Sequence, residues 1–169
     1  MLSKGYRRYL KATALRHLTV PILRVMFDSF VEFTTHVGLD AAQSVCLFEC
    51  MYRQKINSVP NAATAFNNRG EWFNITLLPT WGNQVELDSY VKEWVHKLID
   101  KIAALEKLDP EVPEGKEVVA KKGYFNGSMG DERVSLVFGE NYPRLRQLKR
   151  KYDPESVFSK WFPIVPVEG

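Results

Sequence analysis

The residues of this chain best suited to binding chemistry come late in the sequence. Gly123-Tyr124-Phe125-Asn126-Gly127-Ser128 is followed, after a short loop, by Phe138-Gly139-Glu140-Asn141-Tyr142. Amides and phenols interleaved with glycines can hydrogen-bond a planar polar ligand while the backbone approaches it closely. The same Asn and Gly residues also form turns, so the pattern fits either role. Spacing disfavours other chemistries. The glycines at 123, 127, 130 and 139 do not follow a strand at nucleotide-binding spacing, and no G-x-S-x-G elbow is present. His17, His36 and His96 have no partners at metal-ligand spacing, which predicts no metal site. Cys46 and Cys50 read as positions of one strand, where about 3.3 Å per residue sets their α-carbons roughly 13 Å apart, beyond the ~7 Å a disulfide spans. Both are expected to be small buried hydrophobes.

The elements that must position these groups follow from periodicity. From Ile22 the apolar residues fall at 22, 25, 26, 30 and 33, a helix with Pro21 in its first turn and Gly38 at its end. Ser44 to Tyr52 is apolar on both faces and predicts a central strand. Ala62 to Phe66 and Glu71 to Leu78, around Asn67-Asn68-Arg69-Gly70, predict an antiparallel hairpin. Asn83 with Glu86 reads as a capping box for a helix running from Leu87 to Leu105. Asp109 to Gly115 reads as a loop, and Val118 to Asn126 as one more strand. Asn141 is placed to cap a last helix that stops before Pro154. The aromatic tail from Val157 to Ile164 is expected to dock on the sheet or on that helix. A length of 169 residues fits a single domain, 1–169, and the order of elements predicts an α+β fold, an antiparallel sheet covered by helices.

Charge narrows the partners. Residues 1–24 hold six cations and no acid, and residues 141–152 hold five and no acid, but the net charge is only +3. Aromatic residues do not interleave with the cations of Arg144 to Lys151, so no nucleic-acid partner is expected. The N-terminal patch shares its acid-free, Arg-containing character with transit peptides but lacks their serines, and no secretory signal is visible. The most apolar stretch, Thr19 to Phe33, is interrupted by Arg24, Asp28 and Glu32, so no membrane span and a soluble chain are expected.

Several of these residues fall in an ordered pattern. Tyr124-Phe-Asn126, then Phe138-Gly-Glu-Asn-Tyr142-Pro-Arg-Leu-Arg-Gln-Leu-Lys149-Arg-Lys-Tyr152-Asp-Pro154, then Val157-Phe158 and Pro163-Ile164, resembles the C-terminal segment of the berberine bridge enzyme-like family of FAD-linked oxidases. Thr64-Ala-Phe66, Arg69 and the Trp72 to Leu78 run resemble that family's substrate-domain hairpin. The resemblance implies that residues 1–122 are part of a substrate domain and 123–169 the berberine-like C-terminal segment, without the family's N-terminal FAD-binding domain. It also implies FAD as the cofactor, with Tyr124, Asn126, Asn141 and Tyr142 against the flavin ring, and a small-molecule substrate contacted by Trp72, Asn74 and Thr76. The family's Pro-His before the hairpin arginine is Asn67-Asn68 here. Residues 53–70 hold no acid, where plant members place a glutamate base. The implied activity is oxidation of an alcohol or amine carbon with oxygen as acceptor, completed by a separate flavin domain if the isolated chain is inactive. The alternative is a non-catalytic binding or scaffold protein derived from such an oxidase.

Overall fold

Two amphipathic helices and three short strands make the core, and each face can be traced to its sequence. The computed structural model describes residues 5–70, 73–111 and 125–168. β1 (Arg7–Arg8) and β2 (Lys11–Leu15) lead into α1 (Val20–Val37), followed by β3 (Val45–Glu49) and the single turn α2 (Gln54–Asn57). β4 (Phe73–Leu78), β5 (Thr80–Trp81) and the long helix α3 (Leu87–Lys107) come next, then α4 (Val134–Phe138) and α5 (Tyr142–Tyr152). Among the described residues the main sheet has the order β2-β4-β3, antiparallel throughout, and β1 pairs with β5 alongside. The fold is α+β.

Strand register fixes which face meets the helices. Leu15 is paired with Phe73, Thr13 with Ile75, and Phe48 with Ile75, so these side chains share one face. Ile75 and Leu77 are fully buried there against Ile22, Met26 and Phe33 of α1 and Val91, Trp94, Val95, Leu98 and Ile102 of α3. The rings of Phe33 and Trp94 lie 4.5 Å apart, and the Trp94 indole N–H donates to Ser29 O at 3.1 Å. That bond satisfies the one polar atom of a large buried ring. α1 stops as its sequence predicts: Gly38 adopts φ +75°, a conformation that glycine tolerates, and its N–H returns to Thr34 O.

Several expectations are corrected. The Ser44–Tyr52 strand shrinks to Val45–Glu49 and lies at the sheet edge, with β4 central; its two apolar faces reflect an open flank as much as burial. Cys46 is half-buried, with its thiol pushed up to about 11 by burial, whereas Cys50 is exposed. No hairpin joins Ala62–Phe66 to β4. Residues 61–63 form a 3-10 turn, 64–70 an irregular strap, and β4 pairs with β2 and β3 instead. Polar bonds rather than a ladder take up the strap, as its run of Asn and Gly permits. Asn83 does not cap α3, whose N-cap is Glu86 with no side-chain cap bond. Asn141 holds the N-cap position of α5, but its side chain makes no cap bond. Val118 to Tyr124 of the expected strand lie outside the described residues, and Phe125–Gly127 is a 3-10 turn. In the tail Phe162 is buried, 7% exposed, while Phe158 is 83% exposed. β2 had no expectation at all, because Lys-Ala-Thr-Ala-Leu shows little alternation, yet all five residues are buried.

Candidate functional site

The sheet face turned away from α1 and α3 is built by the other set of alternating positions. Register places Ala12 and Ala14 of β2, Asn74 and Thr76 of β4, and Leu47 and Glu49 of β3 on it. Two alanines beside Asn74 and Thr76 leave that part of the face low enough for other segments to pack on it, and both alanines are buried. Asn74 is 2% exposed and its Oδ1 accepts from Asn68 Nδ2 at 2.9 Å; Thr76 is half-buried. Both substrate-contact expectations on β4 therefore lie on one face, two residues apart, and Trp72 lies outside the described residues.

The strap over 61–70 ties this face to the C-terminal segment. Asn68 reaches the sheet through Asn74. Arg69 donates to Ile56 O at 2.7 Å and to Thr64 Oγ1 at 3.0 Å, with its guanidinium 5.2 Å from the Phe66 ring. Asn61 Nδ2 reaches Asn67 Oδ1 at 3.0 Å and Glu140 Oε1 at 2.5 Å, and Asn141 Nδ2 donates to Asn61 O at 3.1 Å. Arg144 adds a bond to Ala62 O at 3.2 Å. Gly139, at φ +50°, packs so tightly that a Cβ would stand 2.2 Å from Asn67 Nδ2. Gly127 is equally constrained, its hypothetical Cβ 2.3 Å from the Ala12 side chain, so the turn carrying Asn126 sits directly on the β2 part of the floor. Asn126 is exposed, Tyr142 is half-buried, Asn141 is buried behind the strap, and Tyr124 lies outside the described residues.

Sequence reasoning missed two features. Glu49 stands opposite Asn74, and its Oε2 is buried with no hydrogen-bond partner; the parity of Val45–Glu49 would have found it. A second polar centre joins the N-terminal strand to the C-terminal segment. Lys11 Nζ lies 2.8 Å from Asp131 Oδ1 and 2.6 Å from Glu132 Oε1, and Tyr9 OH donates to Asp131 Oδ2 at 2.5 Å with His96 Nε2 3.3 Å away. Burial works to raise the Asp131 carboxyl, but hydrogen bonds from Lys11 and Tyr9 outweigh it and hold it at about 2. Burial first, and then Asp131, push the Tyr9 phenol above its usual range. Beside this centre a polar cleft of about 660 Å³ is lined by Arg7, Tyr9, Trp81, Asp88, Lys92 and Asp131. Arg7 there pairs with Asp88, which also accepts from the Trp81 indole at 3.0 Å. No metal-ligating group of three or more His, Cys, Asp or Glu occurs among the described residues, and no described helix is long and apolar enough to cross a membrane.

An antiparallel sheet backed by two helices on one face, with a strap and a C-terminal segment pinned across the other, defines the class of domain. Residues 120–162 match the family model described as berberine and berberine like. An FAD-linked oxidoreductase of Aspergillus terreus strain NIH 2624, pgmH, is 32% identical over 176 residues, covering 96% of this chain and 34% of that protein. The aclacinomycin-N/aclacinomycin-A oxidase of Streptomyces galilaeus is 28% identical over 123 residues, covering 68% of this chain and 22% of that protein. Among solved structures, CrmK, a flavoenzyme of caerulomycin biosynthesis, superposes with a TM-score of 0.67 at 22% identity, covering 98% of this chain and 33% of its own. Aclacinomycin oxidoreductase superposes at 0.63 with 24% identity, covering 95% of this chain and 33% of its own. Residues 120–162 thus carry the berberine-like segment, and along its length the chain is similar to FAD-linked oxidoreductases that contain it. It spans about a third of the length of the curated pgmH relatives it matches.

Proposed function

We propose that this chain is the substrate-contacting part of an FAD-dependent oxidase, 1–122 forming part of the substrate domain and 123–169 the C-terminal segment, and that it acts with a flavin module supplied separately. The observation that carries the reading is the face of Ala12, Ala14, Asn74 and Thr76, where the strap and the Asn126 turn seat on buried alanines and Asn74 and leave Thr76 half-buried beside them. A small molecule at this face meets the Thr76 hydroxyl, while Asn74, buried behind it with its Oδ1 engaged by Asn68, holds the strap that borders the site. Trp72, two residues before Asn74 in the sequence, is assigned to the same substrate set by the family resemblance. Asn126, Tyr124 and Tyr142 are the groups suited to a flavin's polar edge, since an exposed amide and phenols can donate and accept there. Asn141 belongs to the same wall, but its amide is spent on Asn61 O, so it acts by fixing the strap and the turn before α5 rather than by bonding the ring.

When bound, FAD supplies a two-electron acceptor: a hydride leaves the alcohol or amine carbon, the proton leaves its oxygen or nitrogen, and molecular oxygen afterwards takes both electrons to give hydrogen peroxide. The chain's own part is to hold the substrate and accept that proton. Glu49 is the one carboxylate that register places on this face among the described residues, with Asn74 between it and Ala14. The test is to mix the chain with the flavin-binding portion of the Aspergillus relative, supply candidate alcohols and amines, and follow bleaching of the flavin band without oxygen. Substrate-dependent bleaching that needs this chain, and that falls at least tenfold in Thr76→Val, supports the reading. Binding of small molecules with no bleaching under any condition favours the non-catalytic binding protein.

A further inference from the structure

One small contact links the two groups on which the proposed function depends. Register pairs Ala12 of β2 with Thr76 of β4, which sets their side chains next to each other on one face, the β-carbons about 4.5 to 5.5 Å apart. Resting on the Ala12 methyl is the 3-10 turn Phe125–Gly127, which carries Asn126. The contact is made by the two smallest residue types. The φ of Gly127 is not positive, so no left-handed turn calls for glycine there; what excludes a side chain is Ala12. A Cβ on Gly127 would stand 2.3 Å from the Ala12 methyl and would have to retreat to at least 3.4 Å, a shift of about 1.1 Å. β2 is paired with β4 over all five of its residues, so it is the turn that gives way. The turn is also held from behind. Four residues after Gly127, Asp131 bonds Lys11, whose side chain leaves β2 on the face opposite to Ala12. The segment therefore crosses the β2 border of the sheet gripped by residues 11 and 12 on its two faces.

We propose that Ala12 is a positioning residue: with Gly127 it fixes the distance between the Asn126 turn and Thr76, and through them the distance between flavin and substrate. The inference rests on the reading of Asn126 as flavin-facing and Thr76 as substrate-facing. Ala12 itself is 4% exposed and acts only through the turn that covers it. Reacting atoms must approach to about 3 to 3.5 Å, and a misplacement of about 1 Å can cost a hundredfold in rate. The shift that one added carbon imposes at this contact is of that size.

The chain alone gives the first readout. In Gly127→Ala and, separately, Ala12→Val, the amides of residues 127 and 128 should exchange with solvent at least tenfold faster, while those of β4 keep their protection. The second readout uses the mixture with the flavin-binding portion of the Aspergillus relative. Both variants should lower the rate constant of flavin reduction at saturating substrate at least tenfold without oxygen, with the half-saturating concentration changed less than about twofold. Ala12→Ser, one atom larger than wild type, should lose about threefold, and it carries the test should circular dichroism show the other two unfolded. A wild-type reduction rate in the folded variants, beside a wild-type mixture that bleaches, overturns the positioning role and leaves the flavin reading intact. Unchanged exchange at residues 127 and 128 overturns it too, since the turn has then not moved. A change confined to the half-saturating concentration makes Ala12 a substrate contact, and exchange raised equally in β4 makes it a matter of stability; either result overturns the proposal. A wild-type mixture that never bleaches overturns the flavin reading, and this inference with it.

Discussion

Replacing Lys11 by methionine probes the joint between the N-terminal strand and the C-terminal segment. The Lys11 side chain is largely buried, and its ammonium is the shared counter-ion of Asp131 and Glu132. Methionine preserves the packing of the stem but leaves two carboxylates facing each other with no cation. Breaking a fully buried pair costs about 3 to 5 kcal/mol. Here Asp131 keeps 41% of its side chain in solvent, which reduces the expected loss to about 2 kcal/mol at pH 7. The assay is urea unfolding followed by tryptophan fluorescence, with midpoint and slope compared. Acid supplies a second readout. The Asp131 carboxyl sits at about 2 rather than 3.8, so the native state binds its proton later than the unfolded chain does. That stabilisation is complete above the unfolded value and is lost as the pH falls from about 5 towards 2. With the solvent screening of a half-exposed carboxylate, that difference is worth on the order of 1 kcal/mol. The advantage of wild type over Lys11→Met should therefore shrink across that window. In the Lys11→Met background, Asp131→Asn with Glu132→Gln should recover most of the loss. A difference under about 0.5 kcal/mol at pH 7, or one that widens in acid, would refute this account of the cluster.

Three further outcomes are expected. Phe162→Ala should cost about 3 kcal/mol and Phe158→Ala less than about 0.5, measured as denaturation midpoints, because one ring is buried and the other lies in water. Equal effects would mean that the tail docks differently. Asn141→Ala should lose about 1 to 2 kcal/mol with helix content intact, since the residue bonds Asn61 O and not the α5 amides; a drop in helical circular dichroism would restore the capping role. The chain should purify colourless and show no thermal shift with added FAD, because its sequence has no glycine loop to cradle a pyrophosphate; stoichiometric yellow flavin would contradict this.

The helices were legible because their burial is periodic. Ile22, Met26 and Phe33, and Val91, Val95, Leu98 and Ile102, repeat at helical spacing on one face each, and that face is the core. The C-terminal segment was legible through its ordered Asn, Gly and Tyr residues. Strand partners were not. Phe73–Leu78 looked like half of a local hairpin because Asn67 to Gly70 has turn composition, yet the same residues form a strap fastened by side chains, and the true partners are far away in sequence. β2 was invisible since alanines carry no alternation, although Ala12 is the seat on which the Gly127 turn packs. Asn141 shows a different limit: the position was right and the bond was not, because its choice between the helix amides and Asn61 O depends on a strap whose path no local pattern specifies.

The central place of β4 also orders the assembly of the chain. Its pairing with β3 begins at Glu49 and Asn74, 25 residues apart, whereas its pairing with β2 begins at Leu15 and Phe73, 58 apart. The longer closure costs about 0.7 kcal/mol more in chain entropy, before α1 and the strap are counted among what must already be in place. Chain entropy therefore favours pairing of β3 with β4 before the N-terminal strand enters the sheet, where Lys11 and the Ala12 seat for Gly127 hold it. The arrival of β2, the strand whose sequence announces itself least, is therefore the step expected to set the folding rate.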